Sequence, residues 1–391
     1  MLPTVWQGLG QSTVTHLVIK FPTTREPKPI ALAPPIPDLK SLKIYDIDPL
    51  CYPDDISLLL LESKKLEELS LCWNPRMREA RELSVTMNTY FGRFLSGPYR
   101  LSLKSVAYKN LYTHHTGGCQ ETFDFSKLEK LTCIDSIGGL GDIGESGFLD
   151  PMYRADDAKD IRSLRMIRID KVSKRQVAFL SSFTGLEKVY LVGPQKSTRN
   201  GLNGTSTPLP NSPASSVSTT SSDCTVASLK DQYIEALTRN HGSTLRHLLL
   251  MPQWRLDSDD IATIVKNCPN LEQLGIGVEF SQFNHLRLLV PFLSKLVVIR
   301  LLANPDDPTF EDKMRETDVN GCHEEKIGNH SVNQAHSPLK WMELAGLIFH
   351  IDKTEHYTEE DGRPSYRRLV TKKPREAAQN IDIWAMDSLD M

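Results

Sequence analysis

Residues 258–279, SDDIATIVKNCPNLEQLGIGVE, change their apolar rhythm in mid-course. Before Pro269, the residues Ile261, Ile264, Val265 and Cys268 fall at i, i+3, i+4 and i+7, one stripe of an amphipathic helix. After it, Leu274 and Ile276 fall on one side of a strand, with Gln273, Gly275 and Gly277 on the other. Asp257 or Ser258 caps the helix start, and Pro269 stops it from running on. The reading is a short helix, a sharp turn and a short strand. One such unit cannot bury its apolar faces alone, so it demands neighbours of its own kind.

The neighbours are present. The pattern L-x-x-L-x-L, with conservative replacements, appears as LKSLKI (39–44), LEELSL (66–71), LKSVAY (103–108), LEKLTC (128–133) and LRMIRI (164–169). It continues as LEKVYL (186–191), LRHLLL (245–250), LEQLGI (271–276), LVVIRL (296–301) and LKWMEL (339–344), with VTHLVI (14–19) as a first copy. First positions are separated by 25, 27, 37, 25, 36, 22, 59, 26, 25 and 43 residues. Most fall inside the roughly 20–29 of leucine-rich repeats. Helical stripes precede many copies: Ile56, Leu59 and Leu60; Leu83, Met87, Tyr90, Phe91 and Phe94; Tyr233, Ile234 and Leu237; Phe283, Leu286, Leu289 and Leu293, with a kink expected at Pro291. The expected fold is therefore α/β, a leucine-rich-repeat solenoid. Its strands lie about 4.8 Å apart and its helices about 10 Å apart, which bends the stack into a horseshoe with parallel strands on the concave face and helices on the convex face.

Three segments follow. Residues 1–194 hold the N-terminal half of the repeats and 226–391 the C-terminal half, with a polar insertion at 304–337 and a closing strand segment at 363–391. Between them, 195–225 is rich in Ser, Thr and Pro, has almost nothing to bury, and reads as a disordered linker loop. Of 391 residues, 46 are basic and 49 acidic, a net charge of -3, which argues against a nucleic-acid-binding body. The seven cysteines show no paired spacing and read as reduced thiols. No leader pattern and no uninterrupted apolar run of membrane length is found, so a cytoplasmic or nuclear monomer is expected.

No catalytic, cofactor-binding or metal-binding residue is expected. GGLGDIGESG (138–147) lacks the Gly-Lys-Ser/Thr ending of a phosphate loop and carries Asp142 and Glu145. Cys322, His323, His330 and His336, like His114, His115 and Cys119, fit no compact zinc spacing. The basic run Arg363–Arg375 reads as a solvated strand more than as a nuclear localisation signal. The residues between the inward leucines face the concave side, and aromatic, Met and Arg side chains there are the usual anchors of a protein interface. The expected partner-binding residues are Tyr45, Lys109, Arg168, Lys188, Tyr190, His247, Met251, Arg300 and Trp341.

The irregular copies, the phrase NCPNLEQLGI (267–276) and the ending IDIWAMDSLDM (381–391) resemble fungal F-box-type leucine-rich-repeat proteins, over about residues 14–391. The resemblance implies substrate recognition for a cullin-type ubiquitin ligase, with a Skp-type adaptor and a ubiquitination substrate as partners. The F-box itself is not visible, and the chain opens almost directly into a repeat strand. The alternatives are a regulator of an enzyme, such as a GTPase-activating repeat protein using an exposed arginine or asparagine, and a structural solenoid without a dedicated partner.

Overall fold

In a computed structural model, residues 7–9, 11–21, 36–48, 53–75, 91, 99–113, 123–135, 137–138, 163–193, 222–278, 292–303, 338–358 and 362–389 are described. The molecule is mixed α/β, built on an open, mostly parallel sheet of 14 strands. Its strands are β1 (His16–Lys20), β2 (Ser41–Ile47), β3 (Glu68–Trp73), β4 (Ser105–Lys109), β6 (Lys130–Ile134), β8 (Met166–Ile169), β9 (Lys188–Leu191) and β10 (His247–Leu249). They continue with β11 (Arg255–Leu256), β12 (Gln273–Val278), β13 (Val298–Leu302), β14 (Trp341–Leu344), β15 (Leu347–Thr358) and β16 (Pro364–Lys373). Two short strands, β5 (Tyr112–Thr113) and β7 (Ile137–Gly138), pair apart from it. Pairing runs in chain order and is parallel from β1 to β14; β15 and β16 then add an antiparallel hairpin.

The copies 39–44 to 339–344 each supply one of these strands. All thirty of their apolar positions lie in a single core, none more than 8 % exposed. That core is closed by the helices α1 (Pro53–Glu62), α2 (Lys174–Ser181), α3 (Ser222–His241) and α4 (Ser258–Asn267). The expected stripes Ile56, Leu59 and Leu60, and Tyr233, Ile234 and Leu237, are buried in it. In α4, Asp257 is the cap: its carboxylate accepts from the amides of Asp259 and Asp260, and Asp260 reaches back to the Asp257 amide. Ser173 and Gln176 form the same reciprocal box on α2, a helix that apolar spacing did not single out.

The units share a second device. Asp46, Asn110 and Asp135, each seven residues after its leading leucine, take left-handed backbone angles with φ of 57°, 58° and 51°. Short polar side chains tolerate this region because they hydrogen-bond nearby main chain. The Asn110 amide nitrogen donates to the Trp73 carbonyl at 3.2 Å, tying one unit to the one before.

Two expectations change. Helix α3 begins at Ser222, so the segment 195–225 is not all linker; its first turn lies where a loop was expected, and 195–221 lies outside the described residues. The segment 363–391 is a strand only to Lys373. It then forms a 3-10 turn (Arg375–Ala378) and the short helix α5 (Asp382–Ala385), and leaves the sheet plane to cross one of its faces. The basic run is on β16 as far as Lys373. Of the stripe 83–94 only Phe91 is described; it is buried against Phe123, ring centroids 5.3 Å apart. The insertion 304–337, the kink at Pro291, residues 139–147 and the His and Cys residues of 114–119 and 322–336 lie outside the described residues.

Candidate functional site

On the sheet face opposite the helices, the parallel register sets the side chains in rows. One row runs Ser41, Glu68, Ser105, Lys130, Met166, Lys188, His247, Gln273, Val298 and Trp341. The next runs Lys43, Ser70, Ala107, Thr132, Arg168, Tyr190, Leu249, Gly275, Arg300 and Glu343.

A third row stands at the strand entrances, where each main-chain amide donates to the carbonyl of the preceding unit: Glu67 to Lys40, Lys104 to Glu67, Glu129 to Lys104, and so on to Lys340. Its charges alternate at every step from Lys40 through Glu67, Lys104, Glu129, Arg165, Glu187 and Arg246 to Glu272. Three of the pairs close, Lys104–Glu67 at 3.0 Å, Arg165–Glu187 at 3.9 Å and Arg246–Glu272 at 2.6 Å. Exposed pairs of this kind add little, because solvent and salt screen them. Their order still matters, since like charges on adjacent strands repel.

The C-terminal segment occupies the half of the face from β8 to β14. Arg168 donates from Nε to the Met386 carbonyl at 2.9 Å and from a terminal nitrogen to the Ser388 carbonyl. Arg300, 2 % exposed, donates to the Ile383 carbonyl at 2.8 Å and to the carboxylates of Glu343 (2.6 Å) and Asp387 (2.8 Å). The Trp384 indole N–H donates to Glu343, and the Ile383 amide donates to the Gln273 side chain at 2.9 Å. Lys188 holds Asp382 at 2.5 Å. Ile383 and Trp384 are buried in a second apolar cluster with Tyr190, Leu249 and Val298. The seat is cut to shape at Gly275, where a Cβ would stand 2.5 Å from Leu249 Cδ1 and 3.2 Å from Ile383 Cδ1.

Beneath this cover, the Tyr190 hydroxyl and His247 Nδ1 are 2.8 Å apart. Burial, reinforced by Lys188, pushes the His247 pKa down to about 4, although Asp382 and Glu272 stand 3.5 and 3.9 Å away. His241, at the end of α3, is driven down to about 4 by burial as well. Its partners settle the neutral tautomer: the Leu186 amide donates to Nδ1, so Nε2 carries the proton and donates to the Leu180 carbonyl.

The other half of the face, β2 to β6, is open. A cavity of about 590 Å³ lies over it, floored by Ser70, Ala107 and Thr132 and ending against Asp382 and Met386.

The nine expected interface residues divide accordingly. Arg168, Lys188, Tyr190, His247, Arg300 and Trp341 are brought together by the C-terminal segment, which covers or abuts all six; Trp341 lies 6.3 Å from Trp384, ring to ring. They were expected as exposed anchors, and four of them (Arg168, Tyr190, His247 and Arg300) are 5 % exposed or less. Tyr45 and Lys109 sit half-buried on β2 and β4, away from the cover. Met251 is on the wrong side: β10 ends at Leu249, the chain turns with the Trp254 amide donating to the Met251 carbonyl, and Met251 joins the helix-side core. Neither the alternating row nor the cover entered the sequence reading. Both leave a signal, the first as the residue after each leading leucine, the second as apolar Leu249 and Val298 on what should be a polar face.

Among the described residues no helix is long and apolar enough to cross a membrane, and no group of His, Cys, Asp and Glu could hold a metal ion. The sequence matches no protein-family model and no curated protein.

Proposed function

We propose that this chain is a leucine-rich-repeat solenoid of the F-box-type kind, working as a protein–protein interaction scaffold through its concave sheet face. The observation that carries the reading is the continuity of that face. Ten units place their leucines in one core and leave two unbroken rows of side chains on the other side, half of them open over the cavity above Ser70, Ala107 and Thr132. A stack of this kind offers an extended surface and no enclosed reaction chamber. Substrate recognition for a cullin-type ligase is the form of scaffold that the resemblance favours. Regulation of an enzyme through an exposed arginine has less support, because Arg168 and Arg300 of this face are both engaged with the C-terminal segment.

The test is site-directed photocrosslinking in cells. A benzophenone amino acid at Ala107, in the open half, should capture a discrete partner that the same group at Lys266, exposed on α4, does not. Equal capture at both positions would sink the reading. Ligase subunits among the captured and co-purified proteins would support the F-box kinship, and a defined partner without them would leave a scaffold outside the ligase.

A further inference from the structure

We propose that the open half of the face takes an extended acidic peptide from another protein, laid across the strands as residues 382–388 are laid across the other half. The inference rests on the scaffold reading above and names the chemistry of its partner.

The covered half shows how this face reads a crossing chain. It uses main-chain groups and acids: Arg168 and Arg300 donate to the carbonyls of Met386, Ser388 and Ile383, Gln273 accepts from an amide, and Lys188 and Arg300 hold the carboxylates of Asp382 and Asp387. The cavity continues that track past Met386, over a floor of the small side chains Ser70, Ala107 and Thr132. The exposed inward charges of the open half are Lys43 and Lys130 against Glu68 alone, two cations to one anion, while Arg168 at its edge is taken up by the carbonyls of Met386 and Ser388. Lys43 and Lys130 are exposed and make no ion pair among the described residues. The entrance row adds nothing to the balance, because Lys40, Lys104 and Arg165 offset Glu67, Glu129 and Glu187. An acidic chain finds complementary charge here and a basic one meets repulsion. The two inward rows of this half carry no aromatic side chain, so the stacking platform that single-stranded nucleic acid uses is missing among them.

The probes are two fluorescein-labelled pools of twelve-residue peptides, one built from Asp, Glu, Ser, Gly and Ala, the other with Lys and Arg for the acids. Anisotropy of each is followed on titration with the full chain. The acidic pool should bind saturably, weaken with added salt, and lose at least tenfold in affinity in the double variant Lys43→Glu/Lys130→Glu. Lys266→Glu on the helix face should leave binding unchanged. Thermal melting confirms that each variant folds, which their exposed positions favour. Binding of the acidic pool that ignores the charge reversal overturns the proposal. Binding of the basic pool that is lost in Ala107→Trp, which fills the cavity, also overturns it and leaves the scaffold reading standing. If neither pool binds, the proposal falls, and the scaffold reading then stands or falls on the crosslinking at Ala107 alone.

Discussion

The two halves of one sheet face, built on the same register, have opposite character. From β2 to β6 the inward positions are small or singly charged: Ser70, Ala107 and Thr132 floor a cavity, and Lys43 and Lys130 beside them are exposed. From β8 to β14 they are large, Arg168, Tyr190, Leu249, Arg300 and Glu343, and the chain's own C-terminal segment covers them. The difference follows from desolvation. Tyr190, Leu249 and Val298 place apolar area on a face that would otherwise be wet, and burying an Ile383 on it is worth roughly 1.5–3 kcal/mol. Arg300 can then be buried because Glu343 and Asp387 both neutralise it. The covered half is an interior, and the open half is a surface.

That contrast breaks most sharply at Arg300. Arg300→Ala leaves Glu343 and Asp387 buried without their cation and should cost about 3–5 kcal/mol. Urea denaturation measures the loss, and hydrogen exchange should show residues 375–389 opening first. A loss below about 1 kcal/mol would mean the cover is held by apolar contact alone.

Acid should strike beneath the cover, at His247, and on the helix side of the sheet, at His241. His247 and His241 are held neutral in the fold with pKa values of about 4, below the ordinary histidine value, so the unfolded chain binds protons first as pH falls. Their neutral forms leave stability intact above pH 6.5. Each then loses up to about 3 kcal/mol between pH 6.5 and pH 4. Melting temperature against pH should fall through that window, and His247→Gln should remove part of the slope. A slope that His247→Gln leaves unchanged would place the proton uptake elsewhere.

Gly275→Val is a subtler probe. The added carbons meet Leu249 and Ile383, so the cover must shift, at about 1–3 kcal/mol. The expected signature is faster proteolysis near 380 with the repeat core unaffected. In the open half, Lys43→Ala and Lys130→Ala, both exposed, should change stability by less than about 0.5 kcal/mol. Reversing Glu129 to Lys, which sets three like charges in line with Lys104 and Arg165, should cost under about 1 kcal/mol, more at low salt. A large effect from any of these three would mean that the open half, too, is an interior.

Much of this was legible along the chain. The leucine positions of each copy set strand, register and buried side together, because a strand alternates faces residue by residue and the helix between copies returns the chain to the same sheet edge. Met251 was misplaced because alternation holds only while the strand lasts, and β10 ends two residues earlier. Helix α2 was missed because its apolar stripe is short, Phe179 and Leu180, and its cap Ser173–Gln176 is the stronger mark.

By itself, then, the sequence determined the repeat period, the strands, their order, the core and the alternating charges at the strand entrances, all of which are local or nearest-neighbour features. Only the tertiary structure decided which inward residues are surface. Arg168 meets Met386 across 218 positions of chain, and Arg300 meets Asp387 across 87. No periodicity carries such pairings, because they depend on where the closing segment is led by the hairpin β15–β16, and that path exists only once the sheet beneath it has formed.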